Sequence, residues 1–259
     1  MTFDGPVALY GSIIGFVVGL VGGGGSVLGV PILTYLVGVT SAHIAIGTSA
    51  VTVGASALLN LALHTRAGNV DWRIASVFSA SGVAGVVIGN QLGLIVDSKR
   101  LMFGFGLLML SIAAFMLYHA FFYVSWRPTH GSRGGLTATI KIVLTGVIAG
   151  LLAGFFGIGG GVLVVPALIA ATGMSTFTAI GSSLVAISIF SIITLITYSY
   201  NALVDWNLAA SYTGGAMAGT MIGSYLCTHL SRYRRALSMI LAVIVGAVGI
   251  SILIRVSVG

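Results

Sequence analysis

The sequence predicts an all-α polytopic membrane protein of two homologous modules, each a broken helical unit followed by three transmembrane helices. Three observations carry that prediction. Of the 259 residues, 58% are hydrophobic and only 6% charged, too little charge to cover a soluble globule. Six apolar stretches reach the roughly 20 residues that a helix needs to cross a hydrocarbon core of about 30 Å. Finally, a glycine-rich interruption followed by proline is written twice, as GLVGGGGSVLGVPIL at 19–33 and GFFGIGGGVLVVPAL at 154–168. The apolar runs are continuous rather than alternating, which argues against membrane β-strands.

The first element, Pro6–Gly38, holds the first interruption. It is too short for two crossings and too long for one, and its part before the glycines reaches only about 22 Å at 1.5 Å per residue. The start, MTFDGPVALYGS, lacks the basic region of a cleaved signal and is read as retained. Gly11, Gly15 and Gly19 fall on one helix face and read as a close-packing stripe. Spans Ile44–Leu63, Ile74–Val96 and Leu101–Val124 follow. After a polar, turn-rich linker the order repeats: a second interrupted unit, then Phe177–Ser199, Trp206–Thr228 and Ala236–Ile254.

The repeat extends beyond the glycines. Gly11, Gly15 and Gly19 correspond to Gly146, Gly150 and Gly154, AIGTSAV at 45–51 to AIGSSLV at 179–185, and VDW at 70–72 to VDW at 204–206. Gly85 and Gly89 return as Gly219 and Gly223. The offset stays at 134 or 135, so residues 1–125 and 136–259 are read as two copies joined by linker 126–135.

Basic residues choose between two topologies. If each broken unit crosses once, the copies are parallel and the eleven Lys and Arg divide almost evenly between the faces. If each unit dips in and returns, the copies are inverted. Arg66, Arg73, Arg127, Arg133, Lys141, Arg232, Arg234 and Arg235 then share one face, against Lys99, Arg100 and Arg255. The second split obeys the positive-inside rule. Inverted modules with a cytoplasmic linker are therefore expected. The net charge of +7 is read as topology-setting, not as a nucleic-acid surface.

Non-helical backbone at membrane depth survives only where protein or a water-filled cavity satisfies its polar groups. Two tips from inverted modules would meet near the midplane. Pro31 and Pro166 suit a first helical position, so the helices after the breaks are expected to start near them. Each helix start carries about +0.5 charge, and glycine lets a ligand approach the backbone. Together these make an anion site without a formal charge. Its candidate residues are Gly23, Gly24, Gly25 and Ser26 at the first break and Gly159, Gly160 and Gly161 at the second. No GKS or GKT follows either block, which excludes a phosphate loop.

A hydroxyl stripe adds donors where an Arg would be costly to insert. Thr48, Ser49, Thr52, Ser56 and Asn60 lie along the first module's first span, and Ser182, Ser183, Ser191 and Thr194 along its partner. Thr48, Ser49, Thr52, Ser182 and Ser183 are taken as substrate lining, and Asn60 as an interhelical hydrogen bond.

The chain has no Glu, and its four Asp fall at span ends. Asp71 and Asp205 precede Trp at helix starts and read as N-caps. A buried-carboxylate proton relay is therefore not expected. His43, His64, His119 and His229 sit near span ends and His130 in the linker, all read as interface residues. The single Cys227 excludes an intramolecular disulfide and a cysteine metal cluster. No metal or cofactor is expected. The stripes Ser81–Gly85–Gly89–Gly93 and Ser211–Gly215–Gly219–Gly223–Cys227 read as packing surfaces within a module or between protomers, which leaves a homodimer open.

The doubled glycine–proline block, the AIGTS/AIGSS pair and the repeated half resemble the sulfite exporter TauE/SafE family over nearly the whole chain. The resemblance implies a bacterial inner-membrane carrier of sulfite, sulfonates and related anions; the residues by themselves imply only an anion. Ser26 stands where the second copy has Gly161, so unequal half-sites are expected. The expected function is a secondary transporter that binds substrate near the midplane between the breaks. Alternating access would come from one module rocking against the other, driven by a gradient of H⁺, Na⁺ or the substrate. One alternative is a carrier of another small anion, such as a short carboxylate. A different class is an intramembrane Ser–His hydrolase using Ser49, but His43 and Ser49 lie on roughly opposite faces of one helix.

Overall fold

The computed structural model describes residues 5–21, 24–121, 136–229 and 234–258. In chain order its helices are α1 (Gly5–Val21), α2 (Gly29–Tyr35), α3 (Ala42–Arg66), α4 (Trp72–Ile95) and α5 (Ser98–Phe121). They continue with α6 (Leu136–Phe156), α7 (Gly161–Thr172), α8 (Thr176–Tyr200), α9 (Trp206–His229) and α10 (Arg234–Val258). A 3-10 turn, Gly24–Leu28, precedes α2. The linker 126–135 lies outside the described residues.

Among the described residues, six helices are long and apolar enough to cross a membrane: Ala42–Arg66, Trp72–Ile95, Ser98–Tyr118, Thr139–Phe156, Phe177–Tyr200 and Met239–Ser257. The chain is an all-α, multi-pass membrane protein. Five of the six coincide with expected spans, and the sixth lies in α6, outside them. The apolar part of α6, ahead of the second break, is long and apolar enough to cross, whereas α9 is absent from the set. At 24 residues α9 is long enough, but Ser211, Thr213, Gly214, Gly215, Gly219, Thr220, Gly223 and Ser224 dilute its hydropathy. Several of those residues are spent on packing.

Local rules place the helix starts. An Asp71 carboxylate oxygen accepts from the Ile74 N–H at 3.1 Å, and that of Asp205 accepts from the Asn207 and Leu208 N–H groups at 3.1 and 3.0 Å. Each such cap contributes about 1 kcal/mol. Trp72 and Trp206, one residue on, are exposed, as interfacial aromatics are.

Two glycine seams then fix the bundle. On α1, a Cβ at Gly11 or Gly15 would overlap the carbonyl of Tyr212 or Ala216, and one at Gly19 would lie 2.5 Å from that of Thr220. The seam is mutual, because Gly215, Gly219 and Gly223 of α9 press on the carbonyls of Ala8, Ser12 and Phe16. The second seam repeats the first: Gly146, Gly150 and Gly154 of α6 face Phe78, Gly82 and Val86 of α4, while Gly85, Gly89 and Gly93 face Val147, Leu151 and Phe155. Numbers rise together across each seam, so α1 runs parallel to α9 and α6 to α4. Small residues permit such approach where no hydrophobic force draws helices together. Both seams join the N-terminal half of the chain to the C-terminal half, which corrects the expectation of packing within a module or between protomers.

The central pairs are also formed between halves. Helices α3 and α8 run antiparallel: Gly47 lies beside Tyr198, Gly54 against Ser191 and Gly181 against Asn69. Helices α5 and α10 do the same, with Gly106 against Leu253 and Gly246 against Ala113. Because the principal pairings of long helices are all exchanged in this way, neither half is a body of its own. Rocking one half rigidly against the other would shear every seam at once, so the rocking expected from sequence does not fit this packing.

The first broken unit doubles back. Tyr212 presents its carbonyl to Gly11 and donates its hydroxyl to the Gly29 carbonyl at 3.2 Å. An uninterrupted helix would separate Gly11 from Gly29 by about 27 Å. At the unit's far end, the Arg255 guanidinium of α10 lies over the Tyr35 ring, 5.1 Å from its centroid.

Candidate functional site

The second break is a glycine turn. As α6 ends, the N–H groups of Gly157 and Ile158 close on the carbonyls of Gly154 and Ala153, both at 3.1 Å. Gly157, Gly159 and Gly160 adopt φ of 64°, 66° and 82°, which would cost an L-residue about 1–2 kcal/mol each. The Leu163 and Val164 N–H groups both return to the Gly160 carbonyl, at 2.9 and 2.7 Å. The N–H groups of Gly161 and Val162 therefore precede the first bond of α7 and point out of its start. Pro166 lies inside α7, not at its start. The left-handed Gly160 turns the chain into helix five residues earlier than expected, so the proline removes an interior hydrogen bond. The first break folds differently, as the 3-10 turn and then α2 with Pro31 in its first turn.

The two breaks converge on α3. A Cβ at Gly159 would lie 2.8 Å from both Val53 Cγ1 and Ser191 Oγ, and one at Gly157 would overlap Ile46. A Cβ at Gly29, where α2 begins, would lie 3.4 Å from Ser49 Cβ and 4.0 Å from Val53 Cγ2. Val53 thus touches both breaks, and the 3-10 turn packs on α7. Val53 lies at the centre of α3 and Ser191 close to the centre of α8.

Ser191 is 1% exposed, and its hydroxyl has no hydrogen-bond partner. A buried orphan hydroxyl is costly, and this one abuts a buried helix start with forward-pointing N–H groups. Among the described residues the buried polar groups are the side chains of Ser, Thr and Asn and the phenols of Tyr198 and Tyr212. The site therefore offers an anion donors and partial charge, without a cation.

The residues expected at the site fall into three groups. Gly159, Gly160 and Gly161 form the turn, Ser26 is buried in the 3-10 turn beside Gly24 and Gly25, and Gly23 lies outside the described residues. Ser49 faces Gly29, but its hydroxyl proton is given to the Ile46 carbonyl at 3.0 Å; Ser183 likewise donates to Ile180 at 2.7 Å. Either must rotate to serve a ligand. Thr48 and Ser182 clasp opposite loops, accepting the N–H of Asp205 at 3.2 Å and of Asp71 at 2.9 Å. Thr52 meets the Thr213 hydroxyl of α9 at 2.8 Å. The structure thus gathers the glycine turns, Ser49 and Ser191, and holds Thr48 and Ser182 at the ends of α9 and α4.

Ser191 belongs to the hydroxyl stripe but not to the residues expected at the site, because its counterpart at offset 134 is Ala57 and matching between copies favours shared hydroxyls. His43 is occupied elsewhere: its Nε2 lies 3.1 Å from the Gly93 carbonyl and its Nδ1 3.1 Å from the Ser98 hydroxyl. That ring ties α3 to α4 and α5 and does not face Ser49.

Residues 7–252 match the family described as Sulfite exporter TauE/SafE. A "Probable membrane transporter protein" of Xylella fastidiosa is 42% identical over 257 residues, covering 98% of this chain and 97% of that protein. Proteins with the same description from Bacillus subtilis and Haemophilus influenzae are 25% and 28% identical, covering 84% and 68% of this chain and 86% and 66% of theirs. No solved structure matches the chain significantly.

Proposed function

This chain belongs to the sulfite exporter TauE/SafE family, and we propose that it is a secondary carrier of small sulfur oxyanions, sulfite or a sulfonate, in the bacterial inner membrane. Its relatives are described as transporters, and it is a membrane transporter of small anions, not an enzyme. The observation that carries the substrate reading is the glycine turn at the buried start of α7, where the orphan hydroxyl of Ser191 packs against Gly159, two residues before the open N–H groups begin. Such a site holds a compact oxyanion through neutral donors. Purified protein in liposomes should exchange radiolabelled sulfite or a short sulfonate faster than acetate, and faster than protein-free liposomes. Equal rates for acetate would put a carboxylate in the site instead; no flux of either would end the carrier reading.

The two halves are inverted copies, each with a hairpin that re-enters from the side where it began. The antiparallel runs of α3 with α8 and α5 with α10 support this, as does the return of Gly29 to the level of Gly11. Parallel copies would run both pairs parallel. Linker 126–135 is then cytoplasmic, with the larger group of basic residues. In a Cys227→Ser background, cysteines replacing Ser132 and Ser231 should react with an impermeant maleimide from one and the same side. Reaction from opposite sides would refute the inversion.

A further inference from the structure

A second buried polar set lies one turn along α3 from the anion site. The hydroxyls of Ser56 and Thr220 and both ends of the Asn60 amide have no hydrogen-bond partner, and the three residues are at most 1% exposed. Helical spacing puts them along one seam. Helices α3 and α9 run parallel, pinned by the Thr48 bond to Asp205 and the Thr52–Thr213 pair. Ser56 and Asn60 lie one and two turns beyond Thr52. Thr220 lies two turns beyond Thr213, on the same face, which sets it level with Asn60.

The corresponding seam of the other half, between α8 and α4, fills these three positions differently, although Ser79 of α4 and Tyr198 of α8 also have buried hydroxyls without a partner. At offset 134, Ser56 becomes Phe190, Asn60 becomes Thr194 and Thr220 becomes Val86. The Phe190 ring fills the space over Gly82, Val86 is part of the apolar cluster, and Thr194 donates to the Asn90 side chain at 3.1 Å. At these three positions packing alone therefore has a solution without orphaned groups, and the first half departs from it at all three.

We propose that Ser56, Asn60 and Thr220 hold a sodium-class monovalent cation that travels with the anion. Two hydroxyl oxygens and an amide oxygen suit such an ion, whereas a divalent cation needs carboxylates. A proton has no acceptor here, because none of the three titrates, and the Asp71 and Asp205 carboxylates are engaged as caps. The anion site has no buried cation among the described residues to offset its charge, and an ion one turn away supplies that offset. With Asn60 Oδ1 on the cation, its Nδ2 remains a donor for an acceptor such as the anion. The pairing with an anion rests on the carrier reading above; the cation site itself does not.

Purified protein in detergent, without substrate, should unfold several degrees higher in sodium chloride than in choline chloride of equal ionic strength. Thr220→Val, which installs the residue found at position 86, and Asn60→Leu should each weaken the sodium response roughly tenfold or more in concentration. Thr220→Ser should keep it. An unfolding temperature indifferent to sodium would overturn the site, and so would an undiminished response in folded Thr220→Val and Asn60→Leu. In liposomes, oxyanion flux that persists without sodium defeats this proposal and leaves the carrier standing. A sodium response that the variants abolish, without oxyanion flux, keeps the site and defeats the carrier.

Discussion

Gly150→Ala should leave little monodisperse protein in detergent, and Gly15→Ala should do the same, although each adds one methyl group to a helix. At both positions the new Cβ lands on a carbonyl of the facing helix, Gly82 and Ala216 respectively. Overpacking costs about 1–3 kcal/mol where side chains can give way, and more where the obstacle is backbone that cannot rotate aside. The whole seam must part, and with it the contacts of the neighbouring glycines. Gly246→Ala is the matched control: its Cβ would lie 3.4 Å from that of Ala113, ordinary contact, and alanine favours helix by up to about 1 kcal/mol over glycine. Size-exclusion recovery and thermal unfolding of the three variants measure this directly. Equal recovery of all three would mean that the seams are looser than the structure has them.

The second large effect is on binding. Ser191→Ala should weaken sulfite or sulfonate affinity about five- to a hundredfold, the loss of one hydrogen bond to a charged acceptor at about 1–3 kcal/mol. The fold should not suffer, because the hydroxyl has no protein partner to lose. That combination separates a ligand role from a packing role. Substitutions at Gly159 or Gly160 are blunter, since positive φ strains any side chain there whether or not a ligand binds. Calorimetric titration of Ser191→Ala beside the parent decides the matter: unchanged affinity would remove Ser191 from the site.

Much of the architecture was legible because it obeys one-dimensional rules. Apolar length announced α3, α4, α5, α8 and α10, and an Asp before Trp announced the starts of α4 and α9. Glycines four apart announced that helices would touch there, but not which helices, since register between distant segments leaves no mark within either one. The same limit applied to the hydroxyls. Thr48 and Ser182 have the composition and matched placement of ligand groups, yet each is taken up by a loop N–H of the opposite half. Pro166 misled for a local reason: proline favours a helix start, but a left-handed glycine sets one more strongly. Ser191 and Thr220 escaped because they differ between the copies, and a search for shared residues passes over what only one copy has.

The exchanged seams also set a timetable for synthesis. Helix α1 packs on α9, some 200 residues further along the chain. At about 5–20 residues per second, the first hairpin waits on the order of 10–40 s before its partner leaves the ribosome. Throughout that interval the glycine face of α1 lacks the helix it packs against, while α3, made directly after the hairpin, can already cover the break at Gly29. The chain must therefore be sheltered by the insertion machinery, or held at the membrane surface, until its last quarter arrives. A nascent chain stopped before Trp206 has α1 without its partner and is not half of a carrier.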